Sequence, residues 1–139
     1  MIILDTNVVS ELMRPVPAAA IPKSLSKYSA DELYTTSITL AEILYGIEIL
    51  PAGKRKSELL AAAERLFQFV LEGRLLPFDE PAAREFSHIA AYRRKQGRPA
   101  AELDAQIAAI ASVRGAALAT RNTTDFEGCG IRLVNPWVD

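Results

Sequence analysis

The chain opens MIILDTNVVSELMRP, residues 1–15, and the reading of that stretch decides the fold. Ile2, Ile3 and Leu4 form an unbroken apolar run, the signature of a short buried strand, so Asp5 falls where the chain leaves the sheet. Thr6 and Asn7 then start a segment with helix-like apolar spacing, which Arg14-Pro15-Val16-Pro17 breaks. A carboxylate at the carboxyl end of a buried strand needs a chemical reason.

The same alternation continues outward. AIPKSLSKY predicts a short helix starting near Pro22, and ELYTTS a strand that ends on Thr35, Thr36 and Ser37. SITLAEILYGIEIL carries Ile38, Ala41, Leu44, Tyr45 and Glu48 at helical spacing and stops at Pro51-Ala52-Gly53. Lys54 to about Glu72 reads as the clearest amphipathic helix, with Leu59, Ala62, Leu66 and Phe69 along one stripe and Gly73 closing it. LLPFD is a short strand whose Pro77 suits an edge position. A helix with Pro81 at its start and Gly97 at its end follows, then PAAELDAQIAAIASVRG as another helix, with AALAT and IRLVN as the last strands. Strands alternating with helices imply an α/β domain, with a mostly parallel central sheet of four to five strands covered by helices on both faces.

Length and composition agree with that picture. At 139 residues the chain suits one domain, 1–139, and half of its residues are hydrophobic with about a quarter charged. The single cysteine excludes an internal disulfide, and no leader-like segment precedes the first strand, so a cytoplasmic protein is expected. No apolar run approaches the ~20 residues that span a bilayer, which argues against a membrane role. A net charge of −1 gives no global positive field, so an RNA partner would need a local patch.

Open parallel sheets bind ligands beyond the carboxyl ends of their strands. Asp5 ends the first strand, Glu42 lies on the helix after the second, and Asp125 lies in ATRNTTDF just beyond the strand ending near Thr120. Asp104, near the start of the helix that feeds AALAT, reaches toward the same edge. Four converging carboxylates repel one another and raise each other's pKa values, a conflict that a divalent cation resolves. One histidine and one cysteine cannot build a zinc cage, so an oxygen-only site points to a hard cation such as Mg²⁺ and to phosphate chemistry. Singly, each acid has a structural alternative. Asp5 could cap the helix beginning near Asn7, Asp104 could favour its helix dipole, and Asp125 could form a turn. Glu42 is harder to dismiss, because a charge among Ile38, Ala41, Ile43 and Leu44 is costly when buried.

MIILDTNVVSELMRP, TTSITLAEILYGIEILP, AELDAQIAAIA and LATRNTTDF resemble, in order, the successive motifs of the PIN-domain ribonucleases, and more closely the VapC toxins of type II toxin–antitoxin modules, including the FitB-like branch. That resemblance covers nearly the whole chain. It implies that Asp5, Glu42, Asp104 and Asp125 are the catalytic acids and the metal set for Mg²⁺ or Mn²⁺, with Asp5 and Asp104 the foremost ligands and Glu42 and Asp125 assisting. It implies that Thr6, Thr120 and Asn122 support the carboxylates or approach the phosphate. The activity it implies is metal-dependent cleavage of tRNA or rRNA, leaving a 3′-hydroxyl and a 5′-phosphate. The partner it implies is a VapB-type antitoxin whose carboxyl-terminal segment fills the acidic cleft and through which alone the toxin meets operator DNA. The rival readings are a non-catalytic α/β interaction module and an acid-cleft phosphatase.

Other residues carry less. His88 reads as a structural or surface histidine, Cys129 between two glycines as a small turn residue, and Trp137 as a packing anchor for the carboxyl terminus. Lys54-Arg55-Lys56 and Arg93-Arg94-Lys95 with Arg98 read first as solvated helix ends, yet they are the only basic clusters available to an RNA backbone. An apolar face left over on SITLAEILYGIEILP and KRKSELLAAAERLFQFV favours a homodimer.

Overall fold

The computed structural model describes residues 1–139. Its strands are β1 (Ile2–Leu4), β2 (Leu33–Thr36), β3 (Leu75–Leu76), β4 (Ala117–Ala119) and β5 (Leu133–Val134). Its helices are α1 (Thr6–Leu12), α2 (Ala20–Leu25), α3 (Ser37–Glu48), α4 (Lys54–Arg65), α5 (Glu80–Lys95) and α6 (Glu102–Arg114). The strands form one sheet in the order β3-β2-β1-β4-β5, and every neighbouring pair is parallel. The α/β domain expected from the alternation is therefore present, with the first strand at its centre and β3 at an edge.

Side chains alternate across β1, and both faces are covered. Ile2 and Leu4 join Val8, Val9, Ile43 and Ile47 in a core beneath α1 to α4. Ile3 points the other way, into a second core with Ile107, Ile110, Leu118 and Phe126 beneath α5 and α6. This explains why MIIL has no polar residue: each of Ile2, Ile3 and Leu4 is buried to within 1% of full enclosure. No helix is long and apolar enough to cross a membrane.

Three expectations change in detail. The helix beginning at Lys54 does not run unbroken to Glu72; it ends at Arg65 and continues as a π-helical turn over Leu66–Val70, closed by Leu71 N–H donating to the Leu66 carbonyl at 2.8 Å. The wider turn brings Leu66 and Leu71 into the core and swings Phe69 off the stripe, leaving it 74% exposed. On α3 the buried residues are Thr39, Ile43 and Ile47, while Leu44 and Tyr45 face outward. Ile43 and Ile47 pack with Ile2, Leu4, Val8 and Val9, and the helix start is capped by Thr36 Oγ1, which accepts from Thr39 N–H at 3.0 Å. The short helix α2 starts at Ala20, two residues before Pro22, which its first turn accommodates because those N–H groups have no helical acceptor.

The strand order reverses direction between β1 and β4. From β1 the chain moves to β2 and β3 on one side, then crosses to β4 and β5 on the other. A crevice opens at such a point, beyond the carboxyl ends of the two strands. Asp5 follows β1 there and Thr120 follows β4.

Candidate active site

Asp5 occupies the residue before α1, where a carboxylate normally caps the helix, yet its side chain makes no capping bond. It accepts instead from Thr120 Oγ1 at 2.8 Å and, at the long distance of 3.4 Å, from Asn7 Nδ2. The residue is only 4% exposed and no lysine or arginine forms an ion pair with it. Burial pushes its pKa up, the hydroxyl of Thr120 and the N–H of Thr6 pull it down, and the charge of Asp125 pushes it up again. The capping explanation for Asp5 is thus excluded.

Glu42 projects from the second turn of α3 and is partly buried. Thr6 Oγ1 donates to its Oε1 at 2.8 Å, so the hydroxyl of Thr39, 3.1 Å from Thr6 Oγ1, must be the donor in that second contact. Asp104, in the first turn of α6, is also partly buried. Its pKa is pushed up to about 6, first by burial and then by the charges of Asp5, Asp125 and Glu42, against the pull of Arg93. Helix dipole alone would have lowered it.

Asp5, Glu42 and Asp104 line one open cleft of about 460 Å³. Asp125 stands apart. It is exposed on a short 3₁₀ turn, Thr123–Phe126, outside the cleft lining, and acts on Asp5 and Asp104 through its charge. Thr6 and Thr120 orient carboxylates as expected from the sequence. Asn122 lines the cleft too, its backbone N–H donating to Thr120 Oγ1 at 3.1 Å.

The donor set fits a hard cation. Every candidate ligand is a carboxylate oxygen; His88 is exposed on α5, and the thiol of Cys129 is buried in the second core with its pKa raised chiefly by that burial. No group of three acids, histidines or cysteines stands close enough to hold a metal ion by itself. Mg²⁺ is a cation that keeps part of its water shell and takes few protein ligands.

Sequence reasoning missed part of the cleft wall. Asn7, Ser10, Glu11 and Arg14 recur three and four apart along one face from α1 into the turn after it, and all four line the cleft opposite the buried Val8 and Val9. That polar stripe was the available signal. The basic clusters are solvated helix ends as read, with Lys54, Arg55, Arg94, Lys95 and Arg98 exposed, except at Arg93. Arg93 is buried and donates to the carbonyls of Arg98 and Glu127, while Arg98 pairs with Glu127 at 3.1 Å. Lys56 holds the carbonyls of Glu48 and Leu50 at the end of α3, and Lys54 pairs with Glu58 at 3.8 Å. The cations at the acids are Arg14 and Arg121. Trp137 packs against the first core as expected, and it also forms part of the cleft wall.

Comparison with known proteins agrees with this geometry. Residues 2–128 match the PIN domain family. The chain is 38% identical over 137 residues to the VapC ribonuclease Y4jK of Sinorhizobium fredii, covering 99% of this chain and 98% of that protein. It is 37% identical to the toxin FitB of Neisseria gonorrhoeae over the full length of both. Among solved structures, FitAB bound to an IR36 DNA fragment superposes with a TM-score of 0.87 at 37% identity, over 99% of this chain and 96% of that one.

Proposed function

The chain belongs to the PIN-domain family, and from that premise we propose that it is an endoribonuclease toxin of the VapC and FitB type, held in check by an antitoxin. The observation that carries this reading is Asp5: a buried carboxylate, fixed by Thr120, that neither caps its helix nor meets a cation of the protein. Burying such a charge is costly unless something positive arrives to neutralise it.

Asp5 and Asp104 would hold a divalent ion, Mg²⁺ or Mn²⁺, with Glu42 and Asp125 contributing charge. Bound there, the ion would supply stabilisation of the charge that develops on a phosphodiester and make water a better nucleophile. The chain's own residues do the rest. Thr120 and Asn7 fix the Asp5 carboxylate on the sheet, and the relay from Thr39 through Thr6 fixes Glu42 on α3. Two acids from separate layers are thereby held without reorganisation, the condition for electrostatic catalysis. The breadth of the cleft and its two arginines suit a polymeric phosphate of the translation machinery, tRNA or rRNA, better than a small phosphomonoester.

In this reading a VapB-type antitoxin covers the cleft and carries the complex to operator DNA. FitAB, the structural relative, is a complex bound to a DNA fragment. A homodimer through α3 is part of the same proposal, since Leu44, Tyr45 and Ile49 leave an apolar strip exposed there.

The test is to induce the wild-type chain and Asp5→Asn in cells lacking the antitoxin, following growth and the integrity of total tRNA and rRNA. Arrest with discrete RNA cuts for the wild type alone is the expected result. Equal, harmless behaviour of both chains with intact RNA would overturn the proposal.

A further inference from the structure

Of the two arginines on the cleft, only Arg121 is unneutralised. Arg14 pairs with Glu11 at 3.4 Å, whereas the Arg121 side chain enters no salt bridge although Asp5, Glu11, Glu42 and Asp104 share its cleft. Its guanidinium lies over the ring of Trp137, with Cζ 4.8 Å from the ring centroid. That ring is fixed by packing against the first core. The backbone of Arg121 is fixed too: its N–H donates to Asn7 Oδ1 at 3.2 Å, and the preceding residue is Thr120, bonded to Asp5.

An exposed arginine near carboxylates gains little, at most about 1 kcal/mol, by pairing with one of them. Here the aromatic face competes for it, a contact that holds the charge in place without cancelling it. The outcome is a positive group held on the wall of the cleft that Asp5, Glu42 and Asp104 line, paired with none of them.

Resting on the ribonuclease reading above, we propose that Arg121, held against Trp137, anchors an RNA phosphate next to the scissile bond and sets substrate affinity rather than the rate of cleavage. Its planar donors suit phosphate oxygens, and such contacts position a nucleic acid without reading its sequence. Trp137 acts through Arg121 as a positioning residue.

The experiment is steady-state cleavage of a single-stranded oligoribonucleotide by the purified full chain, free of antitoxin, across a salt series. For Arg121→Gln the expected result is a KM raised roughly tenfold or more, as for loss of one charge-assisted contact. Its kcat should stay within about twofold, and its dependence of log KM on log salt should flatten by about 0.7. Trp137→Leu should raise KM less, and the double variant should be no worse than Arg121→Gln alone, since both remove one unit. Trp137→Phe keeps a ring beneath the guanidinium and covers the case in which the Leu variant fails to fold.

Trp137 is the only tryptophan, so its emission reports occupancy without turnover. Titrating Asp5→Asn with the same oligoribonucleotide should change that emission, and adding Arg121→Gln should move the midpoint to higher RNA. An active wild type with unchanged KM and salt slope in Arg121→Gln overturns the anchor. So does a loss confined to kcat, which would place Arg121 on the transition state. A wild type that cleaves no RNA overturns the ribonuclease reading, and the anchor with it.

Discussion

Asp104 carries its own pH signature. Its folded-state pKa of about 6 lies above the ordinary 3.8, so between those values the folded chain holds a proton that the unfolded chain has lost. The associated stability is present in full below the unfolded value and is lost as pH rises through about 6. Metal-free protein should therefore be strained by Asp104 near neutral pH. Asp104→Asn is expected to raise the metal-free Tm there, through a stability gain of roughly 1 kcal/mol or less because the group is only partly buried, with the gain fading toward acid pH. Adding Mg²⁺ should raise the wild-type Tm more than that of the variant; thermal melts at several pH values, with and without the ion, check both statements. The core acids were legible in the sequence because strand ends and helix starts locate them in one dimension. Asn7 and Arg121 were not, since their roles depend on contacts between β1 and β4 segments more than a hundred residues apart.

At the scale of elements, α3 couples stability to the site. Thr36 caps it, Thr39 begins the relay, and Glu42 ends it within two turns. Thr36→Ala is expected to lower unfolding stability by about 1–2 kcal/mol, read from urea midpoints, and to reduce activity through a misdirected Glu42. A fall in stability with untouched activity would show the cap to be independent of the relay. The helices themselves were legible from periodicity and from Pro and Gly punctuation, but their buried faces were less so. On α3 the apolar residues Leu44 and Tyr45 compete with Ile43 and Ile47 for the core, and packing against β1 and α1 decides between them. On α4 nothing in LFQFV announces a π-helical turn, because the extra residue serves a packing fit supplied by the rest of the molecule.

For the whole molecule, the exposed strip of Leu44, Tyr45 and Ile49 makes assembly measurable. Tyr45→Glu, 68% exposed and so tolerated by the fold, is expected to shift a dimer to monomer in sedimentation velocity; a wild-type monomer would refute the dimer. The parallel sheet was readable from the order of strands and helices alone, since right-handed crossovers leave few alternatives. The strand order was not, because nothing local in MIIL or AALA states which partner each will choose. Core placement follows the same division: the unbroken apolar run told of two covered faces, whereas which helices cover each one is a property of the closed sheet.

The position of β1 between β2 and β4 also has a consequence in time. Asp5 is made before the strand that shelters it, and before the hydroxyl of Thr120 that holds it, by more than a hundred residues. Until then the nascent chain has Asp5 and Glu42 but no crevice. The crevice, and any chemistry it supports, is thus assembled only after β4 has been made and paired with β1.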